Sequence, residues 1–194
     1  MTLDFYLDFV SPFGYLARGR VLEIAKKYGL SVAYHPVDIY QIKTAAGNTG
    51  PSNSQIPAKL AYMTKDRERW ADLYGLKLAK SLAGFKTAVF NRGLLFALDR
   101  KEADRYVEHA YACVWRDGID PGAESGEREL EKRMGWSAGE LTTFAHSSAA
   151  LSRFFVKQSG RVSSAHATVP SATTRQTTIS ETPRGVFLQV AASQ

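Results

Sequence analysis

The sequence predicts an α/β domain that opens with a β-α-β unit and continues into a long helical region. Three patterns support this prediction: polar and apolar residues alternate from Leu3 to Phe9, apolar residues recur at helical spacing from Phe13 to Tyr28, and a second apolar run extends from Leu30 to Asp38. Of the 194 residues, 44% are hydrophobic, which is enough to build one substantial core. We therefore expect a single domain.

The β-α-β unit is predicted from a strand at residues 2–9, a helix at 12–28 and a strand at 30–38. Pro12 suits the first position of a helix, and Gly29 suits the position just after its end. Two strands connected through one helix form a right-handed crossover, so the strands are expected to be parallel.

Residues 40–59 are rich in Gly, Asn, Ser and Pro and are predicted to form a loop, which at this length is usually functional. Helical spacing then returns, and a capping box, Ser137-x-x-Glu140, opens the last of the helices. The predicted helices run from Leu60 to Gly75, over 86–99, from Ala103 to Trp115 with a stop at Gly118, and over 138–147.

The composition changes abruptly near Phe154, as is typical of a shifted reading frame in the coding sequence. Residues 158–183 are rich in Ser and Thr and have few large apolar side chains, which predicts poor packing. A short apolar run, Val186 to Val190, is consistent with one strand.

The composition also bounds the chemistry. The net charge is +6, but Lys and Arg never stand more than two in a row, so nucleic-acid binding is not expected. The single cysteine, Cys113, excludes an internal disulfide and is interpreted as a small buried side chain. The four histidines show no ligand spacing, and no metal is expected. Because neither a signal peptide nor a membrane span is visible, a cytoplasmic location is expected.

One motif carries chemistry: Ser11-Pro12-Phe13-Gly14-Tyr15-Leu16 stands where the first strand passes into the first helix. Two interpretations of Ser11 stay open. It is placed to cap the helix, which is a structural role. A helix start also favours an anion, because it has free N–H groups and the positive end of the dipole. There, Ser11 could donate a hydrogen bond to the thiolate of a bound thiol and lower its pKa.

The run from Asp4 to Ala17, DFYLDFVSPFGYLA, resembles the opening of the 2-hydroxychromene-2-carboxylate isomerases, relatives of the kappa-class glutathione transferases in the DsbA-like branch of thioredoxin-like proteins. The resemblance implies a thioredoxin-like α/β fold in one domain, 1–194, with a helical insertion at about 40–153 and a divergent tail at 154–194. Further ordered matches are Gly47 to Asn53, Arg69-Trp70-Ala71, Asn91-Arg92-Gly93, and Val114-Trp115 with Gly118-Ile119-Asp120.

The resemblance also implies a function, the glutathione-dependent interconversion of 2-hydroxychromene-2-carboxylate and trans-o-hydroxybenzylidenepyruvate in aromatic catabolism. Ser11 would be the catalytic residue, in contact with the sulfur of the cofactor glutathione. Lys43 and Asn53 would line the pocket for the small aromatic 2-oxo acid, with Asn48 and Asn91 as further candidates. Asn48 and Asn53 also suit turns that need left-handed backbone, and Lys43 also suits an ordinary surface position.

The tail departs from this family. Val169-Pro170 stands where the family has a Val-Pro segment that contacts glutathione, but Ser- and Thr-rich residues replace the expected strand around it, and the usual acidic glutathione contacts are missing. Two alternatives stay open: a kappa-like glutathione transferase, which would consume glutathione, and a non-catalytic thiol-binding remnant. The sequence does not fix the oligomeric state, and a homodimer is one option.

Overall fold

A computed structural model of the chain describes residues 1–80 and 85–155. Its β-α-β unit consists of β1 at Thr2–Leu7, α1 at Pro12–Lys27 and β2 at Ser31–Pro36. β1 and β2 pair in parallel, with Thr2 opposite Ser31 and Leu7 opposite Pro36. The predicted unit, with parallel strands connected through one helix, is confirmed.

β1 ends two residues earlier than the predicted strand 2–9, because the chain turns after Leu7. In this turn the Ser11 N–H donates to the Asp8 carbonyl at 3.0 Å. Asp8 therefore leaves the alternation of the strand, and its side chain is buried, with 4% of its surface exposed. One ladder hydrogen bond continues beyond β2, from the Val37 N–H to the Leu7 carbonyl at 2.9 Å.

A helix, α2 at Ile39–Ala45, corrects the prediction of an unbroken loop over 40–59. Asp38 caps α2, since its Oδ1 accepts from the N–H groups of Tyr40 and Gln41, both at 3.0 Å. The turn-forming residues begin only after α2. The elements that follow are a 3-10 turn at Asn53–Gln55, α3 at Pro57–Leu73, α4 at Ala88–Asp99, α5 at Ala103–Tyr111 with a π-helical continuation at Ala112–Arg116, α6 at Glu124–Met134, α7 at Glu140–Ala145 and α8, which the structure describes over 148–155.

The start of α7 differs from the predicted capping box. The Ser137 N–H donates to Glu140 Oε2 at 3.0 Å, but the helix begins after Gly139. Glu131 of α6, only 2% exposed, accepts from the N–H groups of Gly139 and Leu141, each at 2.9 Å. A buried carboxylate on a neighbouring helix thus satisfies these free N–H groups.

One hydrophobic core unites the β-α-β unit with the helices from α4 to α7. Cys113 is fully buried in it, which confirms its interpretation as a small core side chain, and burial raises the pKa of its thiol to about 11. The main large side chains of this core are Leu3, Phe9, Val21, Phe90, Leu94, Tyr106, Tyr111, Leu130 and Leu141. The predictions for residues 158–183, for Val169-Pro170 and for the strand at Val186 to Val190 lie outside the described residues.

Candidate functional site

Ser11 is the N-cap residue of α1. Its backbone is extended, with φ of −90° and ψ of 112°, and its Oγ accepts a hydrogen bond from the Gly14 N–H at 3.2 Å. The interpretation of Ser11 as a helix cap is therefore confirmed. A hydroxyl has one donor and two acceptor sites, so a cap that uses an acceptor site leaves the proton of Ser11 available for a second partner.

The first turn of α1 offers a second donor beside that hydroxyl. Pro12 has no N–H, and the Tyr15 N–H donates to the Ser11 carbonyl at 3.3 Å. For the Phe13 N–H, the described part of the chain provides no acceptor. Ser11 and Phe13 are half-buried, so part of each residue is open to solvent. Together with the dipole of a 16-residue helix, these two donors make this helix start suitable for an anion.

Gly14 is required at this helix start because of Tyr111. A Cβ atom at position 14 would overlap the Tyr111 hydroxyl, which donates to the Asp8 carbonyl at 3.3 Å. Tyr15 packs into the core, and its hydroxyl donates to the Lys77 carbonyl at 3.0 Å. Burial raises the pKa of both phenols, so they stay protonated at neutral pH.

Behind the turn lies a buried polar network formed by the side chains of Asp8, Thr87 and Asn91. The Oδ1 atom of Asp8 accepts from Thr87 Oγ1 and Asn91 Nδ2, both at 2.8 Å, and from the Val10 N–H at 3.0 Å. Its Oδ2 atom accepts from the Ile39 N–H, also at 3.0 Å. We call these three side chains the Asp8 network.

Asn91 lies in this network and not on an open surface. It is 2% exposed; its Oδ1 accepts from the Phe9 N–H at 3.1 Å, and its Nδ2 donates to the Val37 carbonyl at 3.1 Å as well as to Asp8. The sequence placed Asn91 among residues that contact substrate. The structure places it behind the Ser11 turn, where its hydrogen bonds are internal.

The other three candidates lie on the surface segment that follows β2, at residues 39–56. Lys43 is half-buried on α2, whereas Asn48 and Asn53 are exposed. Neither asparagine adopts left-handed backbone: Gly47 has φ of 75°, and Lys101 is the one non-glycine residue with positive φ among those the structure describes. The left-handed backbone that the sequence suggested for Asn48 and Asn53 is therefore not observed, although Asn53 begins the 3-10 turn at Asn53–Gln55.

Asp8 and Thr87 are residues that the sequence analysis missed. Asp8 belonged by its position to the polar side of the first strand, and only the early end of β1 turns it inward. The available signal was a carboxylate three residues before Ser11, at the point where a strand passes into a helix. Thr87 gives no comparable signal, because its partner Asp8 is 79 residues away in the chain.

Two further features bear on the kind of site. Across residues 1–80 and 85–155, no cluster of three or more His, Cys, Asp or Glu side chains is arranged to hold a metal ion. In the same ranges, no helix combines the length and the apolar character needed to cross a membrane.

Comparison with known proteins finds relatives that match most of the chain. A family model described as a DSBA-like thioredoxin domain matches residues 2–157. The 2-hydroxychromene-2-carboxylate isomerase of Pseudomonas putida is 38% identical over 154 residues, which are 79% of this chain and 75% of that protein. The enzyme of the same name from Sphingobium xenophagum is 38% identical over 148 residues, which are 76% of this chain and 75% of that protein.

A solved structure gives the same result at the level of the fold. The selenomethionine form of a 2-hydroxychromene-2-carboxylate isomerase superposes with a TM-score of 0.77 at 36% sequence identity. The match covers 84% of this chain and 80% of that structure. The described residues therefore share their fold with this enzyme.

Proposed function

Because the chain belongs to the DsbA-like thioredoxin domains and, within them, to the 2-hydroxychromene-2-carboxylate isomerase family, we propose that it interconverts 2-hydroxychromene-2-carboxylate and trans-o-hydroxybenzylidenepyruvate with glutathione as cofactor. The observation that carries the proposal is the start of α1. There, two half-buried residues at the positive end of a helix offer donors, the Ser11 hydroxyl and the Phe13 N–H.

This donor set fits a thiol that must ionise. Ser11 keeps its cap bond to Gly14 and donates its proton to the sulfur, so the hydrogen bond favours the thiolate and lowers the pKa of the thiol. When bound, glutathione supplies a thiolate nucleophile that adds to the conjugated double bond and leaves after rotation, so it is regenerated. The chain cannot supply that nucleophile itself, because burial keeps Cys113 protonated.

The substrate side of the proposal rests on the segment at residues 39–56. The substrate is a carboxylate, and Lys43 on α2 provides a positive charge for it, with Asn53 and Asn48 as neutral hydrogen-bonding groups. We assign Asn91 to the support of the turn, since its side chain is buried. The peptide part of glutathione would meet Val169 and Pro170, which the structure does not describe.

A thiol-binding remnant is the second candidate, and the end of the family match before the tail favours it. The family model matches only up to residue 157, and about a quarter of the Pseudomonas putida enzyme lies outside the region that matches this chain. The remnant and the isomerase share the site at Ser11 and differ in turnover. A kappa-like transferase would also turn over, but it would consume glutathione.

The direct test is an isomerisation assay with the full chain, in which substrate conversion and free glutathione are measured together. The proposal predicts conversion that requires glutathione while the amount of glutathione stays constant. Conversion with a stoichiometric loss of glutathione would identify a transferase. Binding of glutathione without conversion would identify the remnant, and in either case the isomerase proposal would be wrong.

The role of Ser11 is tested by Ser11→Ala. One charge-assisted hydrogen bond is worth roughly 1.5–3 kcal/mol, so we expect turnover to fall about tenfold to a hundredfold and its pH profile to shift upward, with a smaller change in glutathione affinity. Loss of the cap should also cost about 1 kcal/mol of unfolding free energy. Turnover against pH, normalised to the folded fraction, measures the catalytic part.

A matched control separates the cap from the chemistry. Ser147 caps α8 in the same way, since its Oγ accepts from the Ala150 N–H at 3.1 Å. Ser147→Ala should lose a similar amount of stability and keep both turnover and pH profile. If Ser11→Ala also keeps its pH profile, Ser11 is only a cap and takes no part in the mechanism.

A further inference from the structure

The side chains of the Asp8 network are buried and bonded internally, and they hold the turn that carries Ser11. We propose that Asn91 and Thr87 are positioning residues, which act through Asp8 to fix the direction of the Ser11 hydroxyl. This inference rests on the proposed function of Ser11 and adds two residues to it.

The backbone of the turn is held at almost every polar group. The Phe9 N–H donates to Asn91 Oδ1 at 3.1 Å, and the Val10 N–H donates to Asp8 Oδ1 at 3.0 Å. The Asp8 carbonyl accepts from the Ser11 N–H at 3.0 Å, and the Phe9 carbonyl accepts from Trp115 Nε1 at 2.9 Å. With its backbone fixed in this way, the turn has one orientation relative to α1.

The same side chains attach the turn to the start of α2. Asn91 Nδ2 donates to the Val37 carbonyl at 3.1 Å, and Asp8 Oδ2 accepts from the Ile39 N–H at 3.0 Å. α2 carries Lys43, whereas the turn carries Ser11. The Asp8 network therefore joins the thiol-binding turn to the helix assigned to the substrate carboxylate.

Stability alone is a poor explanation for this arrangement. Buried polar groups contribute little net stability compared with well-packed apolar side chains, since their desolvation offsets most of the attraction. Three polar side chains at the foot of the active helix are better explained by the geometry that they impose on it. A donor that stabilises a developing charge must be held in position to within a fraction of an ångström.

The primary test is Asn91→Ala in the full chain, with the pKa of the bound glutathione thiol measured from the ultraviolet absorbance of its thiolate. We expect this pKa to rise by about one unit, which reduces the thiolate fraction below the pKa about tenfold. The Cys113 thiol, whose pKa is raised to about 11 by burial, does not add thiolate absorbance at the lower pH where glutathione ionises. A substitution of Asp8 would be ambiguous, because removal of its charge would act on the thiol directly.

Glu131→Gln is the matched control. Glu131 is also a buried acceptor for two backbone N–H groups, but these belong to α7. The control should lose stability and leave the pKa of the bound thiol unchanged. An unchanged pKa in folded Asn91→Ala, or an equal shift in both variants, would overturn the proposal.

A milder pair keeps the test valid where Asn91→Ala does not fold. Thr87→Val removes one donor to Asp8 at nearly constant shape, and Thr87→Ser retains it. We expect a smaller rise of the thiol pKa in the first variant and the wild-type value in the second. A stability loss in Thr87→Val with the wild-type thiol pKa would contradict the inference.

Amide hydrogen exchange without ligand separates this inference from the proposed function. In Thr87→Val, exchange should accelerate at Val10 and Gly14, while Gly139 and Leu141 keep their wild-type rates. If the wild-type chain does not lower the pKa of the glutathione thiol, the proposed function is wrong. Amide hydrogen exchange alone then decides whether the Asp8 network positions the turn. Unchanged exchange at Gly14 would show that it does not.

Discussion

The Ser11 turn at residues 8–11 and the surface segment at 39–56 differ in how they are held. In the turn, buried side chains from α4, α5 and the π-helical segment bond to the backbone. In the segment, neither α2 nor the 3-10 turn has a buried residue. α2 is attached mainly at its start, by the Asp38 cap and by the bond from Ile39 to Asp8.

This difference agrees with the two tasks that we propose for these regions. A donor that stabilises a thiolate must be fixed before the reaction, because reorientation would use the free energy that it supplies. A surface that receives a small aromatic acid can tolerate local motion, and weakly packed segments are where such motion occurs. The two regions should therefore respond differently to substitution. Substitutions in the turn should reduce stability and turnover, whereas substitutions in the segment should change substrate affinity.

The largest effect is expected for Gly14→Ala. The added methyl group would overlap the hydroxyl of Tyr111, which is buried and packed against Phe9, and overpacking of this kind costs about 1–3 kcal/mol of unfolding free energy. Turnover should also fall, because the displaced Tyr111 side chain donates a hydrogen bond to the Asp8 carbonyl in the turn. Thermal unfolding and the isomerisation assay measure the two effects.

Gly19→Ala is the control within the same helix. Beyond its chain neighbours and the adjacent backbone of α1, none of the described residues has an atom within 4 Å of its added Cβ, so it should stabilise α1 by about 0.5–1 kcal/mol. Tyr111→Phe should partly restore Gly14→Ala by removal of the overlapping hydroxyl. Equal stability of the two alanine variants would show that the turn is not tightly packed.

The sequence predicts the local part of this comparison well. The β-α-β unit, the cap at Ser11 and the role of Pro12 depend on residues close together in the chain, and all are confirmed. The Asp8 network joins residues that are 79 and 83 positions apart, and no periodic pattern marks such partners. Asn91 was therefore selected for its place in a family-like motif, and its buried position behind the turn was not predicted.

The short helix α2 was missed for a different reason. Turn formers after Ala45 dominated the composition of residues 40–59, while the seven residues of α2 were too few to show a clear helical period. Its signal was the cap residue Asp38. Placement of α2 against the turn depends on Asp8, which again lies far away in the chain.

An intermediate effect is expected for Lys43→Ala. Loss of a charged partner for the substrate carboxylate should raise KM about tenfold, while kcat and the pKa of bound glutathione stay constant. Unfolding free energy should change by less than about 0.5 kcal/mol, since α2 has no buried residue. Lys65→Ala, an exposed lysine on α3, is the control and should keep the wild-type KM. A fall in kcat with a shifted thiol pKa would place Lys43 on the glutathione side.

The smallest effect is expected for Asn48→Ala. The Asn48 side chain is exposed, its backbone φ is not positive, and its N–H bond to the Lys43 carbonyl at 2.9 Å does not need the side chain. Stability should therefore change by less than about 0.5 kcal/mol. Gly47→Ala forces a side chain into left-handed backbone and should cost about 1 kcal/mol or more, although the two positions are adjacent.

Chemical denaturation of both variants tests this contrast, and KM for Asn48→Ala tests substrate contact separately. A larger stability loss in Asn48→Ala than in Gly47→Ala would mean that the Asn48 side chain holds the segment, and the contrast between a fixed turn and a weakly held segment would then be wrong.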